Sequence, residues 1–106
     1  MARYLFSASY STDGVRGVLK EGGSARRNAI GKGIEALGGN MEAFYLTFGK
    51  ADAIVIAEVP DNTTAAALSL AVSASGGARV HTTVLLTSEE IDAAAGLSVS
   101  YRPPGA

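Results

Sequence analysis

The chain has no cysteine, and that absence excludes disulfides, thiolate zinc sites, iron–sulfur ligation and cysteine nucleophiles. Histidine occurs once, at His81. At most one axial ligand is therefore on offer to a haem or metal, and no paired-carboxylate spacing supplies another, so no metal and no cofactor is expected. Charge is scarce as well: 18% of residues are charged, and nine basic residues against ten acidic ones give a net charge of -1. Arg26 and Arg27 are adjacent but read as a solvated helix face, so nucleic acid and anionic lipid are not expected partners. The longest apolar stretch, near Ala65–Val72, is far short of a bilayer span, and Met1-Ala2-Arg3 leads straight into a strand pattern rather than a signal peptide. A cytoplasmic location is the expectation.

What is present is apolar. With 47% hydrophobic residues in 106, the chain can bury one core and still have apolar surface left over, which predicts self-association. Tyr4–Tyr10 reads as a first strand, and Ser11-Thr12-Asp13-Gly14 offers a helix N-cap. Val15, Val18 and Leu19 then have helical spacing. Gly22-Gly23 should break or bend that helix, and Ala25, Ala29, Ile30, Ile34 and Leu37 continue an apolar stripe until Gly38-Gly39 stops it. Gly31 and Gly33 within it suit close packing on a sheet.

Met41–Phe48 and Ala53–Val59 read as strands two and three. Pro60 ends the latter, and Asp61-Asn62-Thr63 caps an alanine-rich helix from about Thr64 to Ala74. Arg79–Leu86 is a fourth strand, after which Thr87 and Glu90 form a capping box for a short helix to about Ala95. The domain is expected over residues 1–96, with an extended tail over 97–106 that Tyr101 and Arg102 anchor on its own subunit or a neighbour. The order is an α+β, ferredoxin-like β-α-β-β-α-β antiparallel sheet with strand order 4-1-3-2 and both long helices on one face.

The hairpin between strands two and three predicts the faces. Whether its connection holds two residues or four, Phe48 should pair with Ala53, Leu46 with Val55 and Phe44 with Ala57, all beneath the helices. Gly49 is expected to hold a positive φ and Asp52 to cap the turn. Thr47, Tyr45 and Ala43 then fall on the far face with Ile54, Ile56 and Glu58. By alternation Leu5, Ser7 and Ser9 of the first strand and His81, Thr83 and Leu85 of the fourth join them, while Tyr4, Phe6, Ala8, Val80, Val84 and Leu86 face the helices. Leu5, Ile54, Ile56 and Leu85 would sit bare in a monomer, and a second copy of the same sheet is the economical cover. A homodimer paired through its sheet faces is predicted.

The stretch "FYLTFGKADAIVIAEVPDN", the small-residue helix from Leu68 to Gly76 and the Thr87-Ser88-Glu89-Glu90 start resemble the GYD domain family, part of the dimeric α/β-barrel superfamily. The resemblance runs over about residues 3–92 and is most specific at Leu37-Gly38-Gly39, Phe44-Tyr45, Gly49 with Asp52, and Pro60-Asp61. Ala51 stands where the naming motif has tyrosine. The resemblance implies the fold and dimerisation. The superfamily also contains cofactor-free monooxygenases, isomerases, haem-dependent enzymes and ligand-sensing domains, so it leaves the activity open.

Three functions fit these residues. In the first, the protein is a small-molecule sensor or carrier, holding a small apolar or aromatic molecule between the sheets among Ser7, Ser9, Tyr45, Thr47, Ile54, Ile56 and Thr83. In the second, it is a cofactor-free monooxygenase or isomerase, with His81 as base and Glu58 as the carboxylate across the pocket. For that role the two should lie two strands apart, roughly 10 Å. The plainer readings make His81 an exposed edge residue and pair Glu58 with Arg79, Lys50 or Tyr45. In the third, the far face is filled by the partner subunit and the protein is an assembly module. The glycine pairs at 22-23, 38-39 and 76-77 lack the spacing of a phosphate loop.

Overall fold

The computed structural model describes Met1–Ala106. Strand β1 (Ala2–Tyr10) leads into helices α1 (Thr12–Glu21) and α2 (Gly23–Ala36), then the pair β2 (Asn40–Leu46) and β3 (Ala53–Val59). Helix α3 (Asn62–Ala74), strand β4 (Ala78–Leu85) and helix α4 (Ser88–Ala95) complete the chain. The four strands form one antiparallel sheet in the order β2-β3-β1-β4. Read from the opposite edge, the same neighbours spell 4-1-3-2. The architecture is α+β.

Local chemistry places the elements. The Ser11 hydroxyl accepts the Gly14 amide at 3.1 Å to start α1, and α1 stops at Gly22, whose φ of 87° a side chain rarely adopts. Of the expected break or bend, the break is what occurs, giving two helices. Asp61 caps α3 by accepting the Thr64 amide at 2.8 Å and its hydroxyl at 2.7 Å. Those two bonds, the backbone one first, hold the Asp61 carboxyl below its ordinary range.

The core lies between the sheet and the helices. Tyr4, Phe6, Val55, Ala57 and Val59 meet Ile34 of α2 and Ala65 of α3, with Ile30, Met41, Phe44, Leu68 and Val80 packed around them. β3 alternates strictly between buried and half-buried positions, as a central strand covered on one face should. The stripe expected along α2 is narrower than its spacing suggested: Ile30 and Ile34 pack on the core, while Ala29 and Leu37 are exposed. Of the two glycines in it, a Cβ at Gly31 would press on Met41 at 3.3 Å, whereas one at Gly33 would meet nothing.

Two features of the β2–β3 hairpin correct the sequence reading. Leu46, not Phe48, pairs with Ala53, so Phe44 opposes Val55 rather than Ala57. The shift is two residues, which preserves the faces because side chains alternate with period two. The loop is longer than two or four residues: the Thr47 amide donates to the Asp52 carbonyl at 2.8 Å, and Phe48 is fully exposed at the tip. Gly49 has no positive φ. Asp52 does not cap its own turn; its carboxylate accepts the Tyr10 amide, and its amide donates to the Ala8 carbonyl, both at 2.8 Å. The loop is thus tied to β1.

The second correction lies lower on β2, where the register slips between Met41 and Ala43. Glu42 is the extra residue of a bulge, and the slip turns Met41 onto the core side. Ala43 keeps the hairpin register opposite Ile56, whereas below the slip Met41 opposes Ala57 and Asn40 opposes Glu58.

Beyond β4 the chain leaves the body. Every residue from Ser88 to Ala106 is exposed. The radius of gyration is 16.8 Å, against about 13 Å for a compact chain of this length. The expected docking of the tail on its own subunit does not occur.

Candidate functional site

The registers lay out the uncovered face as rows. One row is Tyr45, Ile54, Ser7 and His81; the next is Ala43, Ile56, Leu5 and Thr83; the third is Asn40, Glu58, Arg3 and Leu85. Ser9 opposes Arg79 on β4 beyond the first row. Thr47 lies just past the end of β2, its hydroxyl donating to the Ala51 carbonyl at 2.6 Å. The buried core is drawn from the other side of β1 and β3, with Met41 and Phe44 of β2 and Val80 of β4 packed against it. Of the candidate ligand-binding residues, Ser7, Tyr45, Ile54, Ile56 and Thr83 are therefore brought together in two adjacent rows. Ser9 and Thr47 sit at their margin.

The middle of this surface is apolar: Leu5, Ile54, Ile56 and Ala43 are half-buried by their neighbours. Tyr45 and His81, at opposite ends of one row, are exposed. Ser7, between them, adds a small hydroxyl. The chemistry on offer is an apolar floor with a phenol and an imidazole as polar posts.

His81 and Glu58 are not brought together. They lie two strands apart, as expected, but also four residues apart along the strands, because His81 shares a row with Ser7 and Glu58 with Arg3. At about 3.3 Å per residue and about 4.8 Å between strands, their backbones stand roughly 16 Å from each other within one sheet. Glu58 is also engaged: its Oε1 accepts from the Arg3 guanidinium at 2.9 Å. The partner is neither Arg79, Lys50 nor Tyr45.

Arg3 is the residue that sequence reading missed. It donates through Nε to Glu42 and through Nη2 to Glu58, and the hydrogen bond and charge of Glu42, followed by those of Glu58, push its pKa further up. Cross-strand pairing with Glu58 was legible once the β1–β3 register was in hand. The Glu42 contact was not, since simple alternation puts Glu42 on the same side as Phe44. Only the bulge frees it to reach Arg3. This triad closes one end of the apolar rows with ions that satisfy one another.

A second space lies inside the body, about 50 Å³ between sheet and helices, lined by Phe6, Ile30, Ile34, Val55, Leu68 and Val80 among others. Its lining is apolar except for Ser69, whose hydroxyl pairs with Thr82. No group of histidine and carboxylate side chains is placed to hold a metal ion, and no helix is long and apolar enough to cross a membrane.

No curated protein and no solved structure matches the chain significantly. The family model described as the GYD domain does, over residues 4–95. That span begins in β1 and ends with α4, taking in every residue of the three rows except Arg3, and the chain belongs to the GYD domain family.

Proposed function

We propose that the protein is a homodimer whose uncovered sheet faces pack against each other and hold a small apolar or aromatic molecule between them. The observation that carries this reading is the pair of rows Tyr45-Ile54-Ser7-His81 and Ala43-Ile56-Leu5-Thr83. Large apolar side chains at their centre favour a partner surface, and the small residues Ala43, Ser7 and Thr83 leave room beside them for a ligand. A sensor or carrier role needs nothing more than this binding. Catalysis by His81 with Glu58 draws no support from the layout, because the ion pair with Arg3 occupies Glu58 and the separation within a sheet is too wide for one small substrate.

Native mass spectrometry of the protein as purified, with Ile56→Glu as the comparison, tests the reading. A dimer carrying extra mass from a small molecule, reduced to bare monomer by Ile56→Glu, is the expected result. A dimer of bare chains that also refuses flat aromatic probes would replace the ligand reading with a pure assembly module. A wild-type monomer at micromolar concentration would sink both.

A further inference from the structure

The C-terminal arm is a strand without a sheet. Residues Leu97-Ser98-Val99-Ser100-Tyr101 alternate apolar and polar side chains with the period of a strand, yet they adopt no regular structure. Leu97, Val99 and Tyr101 are 73%, 76% and 72% exposed. Three large apolar groups on one side of one short segment are costly to leave in water. The segment also cannot easily return to its own body. Only Leu86 and Thr87 separate β4 from α4, and the reciprocal bonds between Thr87 and Glu90, at 3.0 and 3.1 Å, pin the start of that helix. Eight helical residues then carry the arm about 12 Å further out.

The body has a vacant place of the matching kind. β4 is an edge strand, so its outer row of backbone N–H and C=O groups has no strand partner. On the helix side of that edge runs an open groove of about 530 Å³, lined by Tyr4, Ala65, Ala66, Leu70, Thr82 and Val84 among others. Leu70 is 70% exposed and Val84 52%. On the opposite side the same edge presents His81 and Thr83, which are polar. An added strand with Leu97, Val99 and Tyr101 toward the groove and Ser98 and Ser100 toward His81 and Thr83 would satisfy both sides at once. At the other edge, β2, the hollow beside Met41 is lined by Arg27, Asn28, Lys32 and Glu35, and the apolar hollow with Val15, Val18 and Leu19 meets the strand only at its last residue, Leu46, beside Thr47 and Asp52 of the loop.

We propose that the arm of one copy adds to the β4 edge of a second copy, with Leu97, Val99 and Tyr101 seated in the groove between β4 and α3. The exchange is reciprocal. Tyr101 alone brings roughly 150–250 Å² of surface to such a contact. Two arms of three apolar residues, with the groove surface they cover, approach the ~1,200–2,000 Å² buried by specific protein pairs. The contact uses a different surface from the face-to-face packing of the sheets and stands whether or not that packing occurs.

The absence of cysteine makes the test direct. Full-length Val99→Cys and Thr82→Cys proteins are mixed in equal amounts, oxidised gently, and the disulfide-linked peptides are identified by mass spectrometry. Seating one thiol beside the other at about millimolar effective concentration should make the 99–82 link form roughly a thousandfold faster than collision at micromolar protein. The collision rate is read from Val99→Cys mixed with Arg16→Cys, whose thiol lies on exposed α1. A 99–82 link no faster than that control overturns the proposal. So does a Val99→Cys, Thr82→Cys double variant that links only within a single chain, since the arm would then serve its own groove. Introducing Tyr101→Asp into the Val99→Cys protein should slow the link toward the control rate while leaving the circular dichroism unchanged.

Discussion

The two faces of the sheet are built from alternate residues of the same four strands, yet they end in opposite conditions. On one, Tyr4, Phe6, Val55 and Ala57 lie at 3%, 5%, 6% and 0% exposure beneath α2 and α3. On the other, Leu5, Ile54 and Ile56 are comparable in apolar character, but no helix lies over them. Hydrophobicity alone does not separate the faces. What separates them is where the crossovers land, since both β-α-β crossovers bring their helices back to the same side of the sheet. The bare face is therefore a product of topology, and its apolar residues are where a binding surface is to be sought.

The sharpest way to break the contrast is to damage the covered face. Ile34 is fully buried and, with Ile30, joins α2 to the core, so Ile34→Ala should cost about 2–5 kcal/mol. Urea denaturation should show the midpoint falling with an unchanged slope. Ile56→Ala, on the bare face, should cost clearly less in a dilute monomer. Equal losses would mean that the bare face is already covered.

A smaller effect should come from the tie that anchors the hairpin. Asp52→Ala leaves the Tyr10 amide without its acceptor and should cost about 1–2 kcal/mol. Faster hydrogen exchange should concentrate at Tyr10 and in the loop, and an unmoved Tyr10 amide would count against the tie.

The smallest effect concerns the cap of the covering helix. The folded state holds the Asp61 carboxyl below its ordinary 3.8, so its charged form favours folding. That contribution is complete above the unfolded pKa and is lost as pH falls through the lower, folded one. Asp61→Asn should therefore flatten the stability–pH curve below about pH 4 while changing little at neutrality. An unaltered acid limb would show that the cap carries no pH dependence.

How much of this was legible beforehand differs from residue to residue. Leu5, Ser7, Ile54, Ile56 and His81 could be assigned to one face from alternation alone, and the two-residue error in the hairpin register did not disturb that assignment. His81 and Glu58 could not be related in the same way. Their separation depends on two registers, β1 with β3 and β1 with β4, which are set by long-range pairing. The Arg3 triad depended further on a bulge that no period reveals.

By itself the sequence determined the element order, the side of the sheet to which the strand residues outside the β2 bulge belong, the caps at Ser11, Asp61 and Thr87, and the stop at Gly22. These are local matters of side-chain period, φ preference and hydrogen bonds within a few residues. Only the tertiary structure decided which residues share a row, which cation meets Glu58, and that the arm beyond Leu86 stands away from its own body. Each of those outcomes is a distance between segments far apart in the chain, and such distances are set jointly by loop length, bulge and packing.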